Sequence, residues 1–222
     1  MNRHMTAFTL TIVTFCPSSG YAQDAAQVVF ENDQVRATEY VVKPREMAIL
    51  RARAPYVLFS LTSSLVDLTL HDGKHAAAEY SFEDVRWFDH AAQAIDNTGQ
   101  ENAMFLTVEI KKATPDVSQV AADDGTKIAP EQYGVLYENE RARIIRVRVR
   151  PGEKTLMHSH PGSAFRYALE HRSKRHKFTF PDGTAREGQS QGKDARWSQS
   201  PSKHIIENIG TTNIHNLLIE VR

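Results

Sequence analysis

Apolar and polar residues alternate in short runs along the chain. The alternation passes through 35–42 (VRATEYVV) and 143–149 (RIIRVRV), the period of a strand with one buried face. Asp72-Gly73 and Asp182-Gly183 read as hairpin turns, in which Gly takes the positive φ. After the first 22 residues no stretch holds a helical period for a dozen residues. Many short strands with regular turns predict an all-β chain, a sandwich or a barrel.

The pattern also occurs twice. VVFENDQVRATEYVVKPREMAILRARAPY is matched by VLYENERARIIRVRVRPGEKTLMHSHPGS, LTLHDG by FTFPDG, Arg86-Trp87 by Arg196-Trp197, and IDNTGQENAMFLTVEIK by IENIGTTNIHNLLIEVR. The matches keep their order at an offset of 107 to 111 residues, which marks a duplication. The copies occupy residues 26–111 and 133–222. Residues 112–132, rich in Asp, Pro, Ala and Thr, read as a linker.

The 222 residues carry 27 basic and 27 acidic side chains, so no basic excess draws nucleic acid or an anionic membrane. The arginines of 141–150 alternate with Ala, Ile and Val and read as one solvated strand face. At the N-terminus Arg3 and His4 precede an apolar stretch, 7–15, too short to span a bilayer. Gly20-Tyr21-Ala22 then offers small residues for cleavage. Residues 1–22 are expected to be a signal peptide, and the protein secreted or periplasmic. Cys16 is the only cysteine and lies inside that leader. The mature chain then has no disulfide, thiolate metal site or cysteine nucleophile.

Candidate chemistry rests on histidine. His158 and His160 stand two apart in LMHSHPG, a spacing that puts both imidazoles on one face of a strand. His204, in SPSKHIIEN, opens another strand-like run and can supply a third ligand. A His-x-His pair can equally be structural. Three neutral imidazoles suit one divalent ion (Fe, Zn, Mn, Ni or Cu) with positions left for water or a small ligand. Arg166 faces the same way if its strand continues from His158, and a guanidinium there would hold an anionic group near the ion. No residue stands out as a catalytic acid or base.

Gly152, His158 and His160, followed by His204 and Asn208, resemble the two motifs of the cupin superfamily, G-x5-H-x-H-x3-4-E-x6-G and P-x-G-x2-H-x3-N. The resemblance covers both copies and implies two tandem jelly-roll barrels, a bicupin. More narrowly, PGEKTLMHSHP with FTFPDG is similar to small bacterial cupins, some named for β-alanine degradation, a name that carries no substrate here. The first motif's glutamate would fall at 164 or 165, which are Ala164 and Phe165; the glycine of the second motif is also missing, with Ser202 and Lys203 in that region. A site with neutral ligands alone keeps the ion's charge and favours an anionic or chelating guest. Arg51 and Arg53 align with His158 and His160, and Gln93 or Ala94 with His204. The first copy is therefore expected to be degenerate, with two inward guanidiniums that bind an acid or form ion pairs.

Trp87 and Trp197 at matching places suggest shared core packing, with substrate stacking by Trp197 as the alternative. His171 and His176 are expected on a solvated loop, His215 in a core or surface strand, and Asn208 in a turn. Two functions fit. One is a metal-dependent enzyme, dioxygenase-like by resemblance, acting on a small anionic or chelating substrate. The other is a non-catalytic periplasmic protein that binds a metal or small ligand. The resemblance also makes a homodimer plausible.

Overall fold

The strands expected from the alternation form, and they form the same sheets twice. The computed structural model describes residues 20–21, 25–90, 92–112, 121–160, 162–170, 174–190, 194–199 and 202–222. Most of the expected leader, with Cys16, lies outside these residues, as do Pro161, His171 and Pro201. In the first half, β1 (Gly20–Tyr21), β4 (Glu46–Ile49), β6 (Ser64–Thr69), β7 (His75–Tyr80) and β9 (Ala94–Asn97) make one sheet, ordered β1-β4-β9-β6-β7. The other sheet, ordered β2-β3-β10-β5-β8, contains β2 (Ala26–Glu31), β3 (Val35–Val42), β5 (Tyr56–Ser60), β8 (Val85–Phe88) and β10 (Ala103–Ile110). Every pairing is antiparallel except β1 with β4.

The second half repeats this plan. Its five-stranded sheet, ordered β11-β12-β19-β14-β17, is built from β11 (Tyr133–Glu138), β12 (Ala142–Val149), β14 (Ala164–Ala168), β17 (Ala195–Ser198) and β19 (Ile214–Val221). Four strands, β13 (His158–His160), β15 (Lys174–Thr179), β16 (Ala185–Ser190) and β18 (Ser202–Asn208), form the order β13-β18-β15-β16. The fold is all-β, with one four-residue helix, α1 (Gly125–Ile128), among the described residues. No helix there is long and apolar enough to cross a membrane.

The matched sequence features do matched structural work. Asn32 and Asn139 each accept two backbone N–H groups in the turn before β3 and β12. Asn97 and Asn208 each donate to two carbonyls and accept from the glycine two residues on, Gly99 and Gly210. Asn208 is thus a turn residue, buried and fully used. Gly73 and Gly183 sit in the two hairpins at φ 79° and 83°.

The β2-β3-β10-β5-β8 sheet of the first half packs on the β11-β12-β19-β14-β17 sheet of the second. Val57, Phe59 and Leu106 of the first meet Ile144, Phe165 and Leu217 of the second in one apolar cluster. All six are fully buried, and each large side chain contributes about 1.5–3 kcal/mol by leaving water. Trp87 stacks on Tyr137 at 6.4 Å, and both tryptophans pack against this cluster, so Trp197 does not line the histidine cavity. Tyr167 Oη donates to Glu39 Oε1 at 2.8 Å, and His215 Nε2 lies 2.6 Å from Glu83 Oε1, both across the halves.

One expectation changes. The arginines of β12 do not share a solvated face: the run changes parity between Arg143 and Arg146. Arg143 is 1% exposed and points into the second half, while Arg148 is exposed. The linker residues 121–132 also pack against the second half, through the pairing of Asp124 with Ser159 and of α1 with its neighbours.

Candidate metal centre

His158 and His160 are brought inward by one extra residue. In the first half Ala48 pairs with Ile95, and Leu50 N donates to Gln93 O two residues along. In the second, Thr155 N donates to Ile206 O, but the next register point is His158 opposite His204, three residues along one strand against two on the other. This bulge shifts the inward face by one position. His158 and His160 therefore correspond to Leu50 and Ala52, not to Arg51 and Arg53. Arg51 and Arg53 are exposed and point away from the interior, which corrects the expectation of two inward guanidiniums. His204 corresponds to Gln93, which donates to the His71 carbonyl.

The three imidazoles converge. One nitrogen from each of His158, His160 and His204 lies within 4.8 Å of the others. Nε2 of His158 and Nε2 of His160 are 3.1 Å apart. The Nδ1–H of His158 donates to the Leu156 carbonyl at 2.9 Å, which leaves its Nε2 lone pair facing the cluster. His158 is completely buried, and burial pushes its pKa down to about 4. Burial, with His158 and His160 close by, pushes His204 down to about 3. These two rings are uncharged near neutral pH, the form that binds a metal. Such a donor set fits a divalent ion held facially.

Tyr133 packs its ring 4.6 Å from His158 and 5.5 Å from His160, and burial raises its phenol well above the ordinary range. Phe178 meets His204 edge-on at 5.0 Å. His160 and His204 open onto a cavity of about 250 Å³, with Ala164, Arg166, Phe178 and Leu218 on its walls. Of the two positions, 164 and 165, at which the resemblance expects a carboxylate, Ala164 lines this cavity and Phe165 does not.

Arg166 lines the same cavity. It donates to Asp194 Oδ2 at 2.9 Å, and Arg196 holds the same carboxylate through Nε at 2.6 Å. Two guanidiniums share one carboxylate, so the group carries a formal excess of +1. Burial lowers the Arg166 pKa while Asp194 opposes the shift; the group stays charged. His176 is on β15 and lines this cavity, not a solvated loop. His215 is buried at the junction of the halves.

The sequence left two features unnoticed. Glu220, in the apolar run NLLIEVR, is 2% exposed and its Oε1 is 3.5 Å from His160 Nδ1. Asp124 and Arg143 join it in a buried ionic cluster. An acid inside a strongly apolar strand was the available signal.

No protein-family model matches the chain, and no curated protein does. Solved structures do. Bacillus subtilis oxalate decarboxylase, described for its Mn(II) centres, matches with a TM-score of 0.55 at 15% identity over 85% of this chain and 69% of that one. A tryptophan-to-tyrosine variant of the same enzyme gives 0.58 at 16% identity over 88% and 71%. An oxalate decarboxylase described for proton-coupled electron transfer gives 0.59 at 15%, with the same coverage. Oxalate decarboxylase is a bicupin, so the fold of this chain is of the cupin type. At this identity the likeness is one of fold.

Proposed function

We propose that the second half holds one divalent metal ion through His158, His160 and His204 and presents it to a small anionic or chelating ligand steered by Arg166. The observation that carries this is the convergence of three imidazoles, one buried and two half-buried, at a cavity that His160, His204, Arg166 and Arg196 line, with Asp194 pairing the two arginines. When bound, the ion supplies Lewis acidity and, for iron or manganese, a redox couple. The chain supplies the rest. Arg166 offers charged donors to a carboxylate. Phe178, Ile206 and Leu218 give the cavity an apolar wall that excludes water, and Ala164 leaves the space a ligand needs beside the ion.

A small carboxylate is the substrate class we favour. The structural neighbours are named for oxalate, and the +1 excess on the cavity wall suits such a guest. Dioxygenase-like chemistry and the narrower kinship with small bacterial cupins belong to the same proposal, as do two closed barrels over 26–111 and 133–222, a signal peptide at 1–22, and a homodimer. Non-catalytic binding is the second reading, favoured by one observation: no Asp or Glu is among the described residues that line this cavity, and Asp194, which pairs with its Arg166 and Arg196, is tied by both and is not free to move protons.

The test is metal analysis of the purified chain, followed by ligand titration and turnover. One ion per chain is expected, and His204→Ala should not retain it under conditions that load the wild type. Oxalate and related carboxylates should perturb the visible spectrum of the Co(II) form. Binding without turnover, with or without oxygen, selects the second reading; an ion retained by His204→Ala sinks the proposed ligand set.

A further inference from the structure

Beside the ligands lies a charge cluster that the ligand set does not use. Arg143 Nη2 contacts Asp124 Oδ2 at 2.7 Å and Glu220 Oε2 at 2.6 Å, and Arg143 Nε donates to the same Glu220 oxygen at 2.8 Å. All three side chains are at most 2% exposed. Two carboxylates face one guanidinium, so the cluster carries a formal excess of −1. Glu220 Oε1 has no hydrogen-bond partner among the described residues, although no solvent reaches it. A charge left so in a dry interior is costly unless another charge faces it. The nearest ring nitrogen is His160 Nδ1, at 3.5 Å.

Position gives that oxygen a meaning. Glu220 on β19 pairs directly with Ala164 on β14. The carboxylate absent from the ligand position thus has a counterpart on the next strand, one ring further from the ion. The same region is clamped by the segment between the halves. Asp123 accepts from Ser159 Oγ at 2.7 Å and from Lys203 Nζ at 2.6 Å; Ser159 separates His158 from His160, and Lys203 precedes His204. A Cβ placed on Gly125 would stand 3.0 Å from His158 Cδ2 and 3.2 Å from the Tyr133 ring. Residues 123–125 therefore touch the strands of all three ligands. The first half offers a contrast. Glu109 and Arg36 hold the register of Glu220 and Arg143, but Glu109 Oε2 accepts from the Arg53 backbone N–H at 2.9 Å.

We infer that Asp123–Gly125, Arg143 and Glu220 form a frame that positions and charge-balances the metal site: Glu220 orients His160 through Nδ1, so that Nε2 faces the ion, and supplies from behind the ring the negative charge lost with Ala164. This rests on the metal-centre reading above. Carboxylates that orient a ligand imidazole typically alter metal affinity by about 10–100-fold.

The experiment measures Co(II) and Mn(II) affinity and the Co(II) visible spectrum for the full chain and for Glu220→Gln, Asp124→Asn and Glu109→Gln, with melting of each metal-free form. Glu220→Gln keeps the shape and leaves Arg143 and Asp124 as a neutral pair, so the fold is expected to survive. The inference expects Glu220→Gln to weaken binding by about 10–100-fold with a shifted Co(II) spectrum. Asp124→Asn should also weaken binding, because Arg143 then neutralises Glu220 fully, and it keeps the test open if the first variant does not fold. Glu109→Gln should bind as the wild type does. Binding by Glu220→Gln within about twofold of the wild type overturns the frame and leaves the metal centre standing. A wild type that binds neither ion overturns both.

Discussion

Tyr56 and Ala164 occupy the same place in the two halves, each opposite the glutamate of the last strand, Glu109 or Glu220. The same registers set Leu58 against Arg166, Phe88 against Ser198, Tyr40 against Val147 and Phe105 against Asn216. The first half fills its interior with rings: Tyr56 stacks on Phe88 at 5.2 Å, and Tyr80 meets Phe105 edge-on at 5.1 Å. The second places small or polar residues at those points and keeps a cavity of about 250 Å³. One strand plan thus supports a filled core and a hollow one. The two halves share one apolar cluster, while the hollow half carries a buried imidazole, His158, and the buried charges Arg143, Asp124 and Glu220, which cost stability.

The comparison breaks first at Tyr56. Tyr56→Ala removes a fully buried ring and the acceptor for the Ala92 N–H, and should lower unfolding free energy by about 3–5 kcal/mol in urea titrations. It should leave metal affinity unchanged; a loss of less than about 1 kcal/mol would mean that the first half is not a tightly packed core.

Acid comes next. In the metal-free protein His158 and His204 are protonated only near pH 4 and 3, whereas unfolded imidazoles bind protons near 6.5. Between these values unfolding takes up protons, so stability falls as pH drops from about 6.5 toward 4. Urea midpoints of metal-free protein should fall over that window, and His204→Gln should flatten the slope. An equal slope in the variant would remove His204 from the effect.

Arg166→Leu installs the side chain of the filled half. It should weaken a carboxylate ligand by about tenfold, roughly 1.4 kcal/mol, while Co(II) affinity holds. Unaltered carboxylate binding would free Arg166 of the role. The smallest effect is expected at Arg51 and Arg53. Both are exposed, and Ala at each should change stability by no more than about 0.5 kcal/mol. A loss well beyond that would return them to the interior.

Much of this contrast was legible in the sequence. Short-range alternation marks the strands and the Asp-Gly turns mark hairpins whose pairing is local, β6 with β7 and β15 with β16, while the duplication shows as a constant offset between matched segments. His158, His160 and His204 could be grouped because two share a strand face and the third begins a strand. Arg51 and Arg53 were misplaced because a constant offset hides a one-residue bulge, and in a strand a slip of one reverses the face. Arg143 and His176 were assigned to solvent because a polar or charged residue on an inner sheet face looks, in sequence, like one on a surface.

By itself, then, the sequence determined the all-β plan, its repetition and the three candidate imidazoles, since each shows as a pattern along the chain: a period of two, a constant offset and a motif. Only the tertiary structure decided which half keeps a cavity, where Glu220 and Asp124 stand relative to His160, and that residues 123–125 contact the strands of the three histidines. Those facts depend on strands that lie far apart along the chain and meet only when the sheets close on one another. Contacts of that kind are fixed by packing, which no local period records.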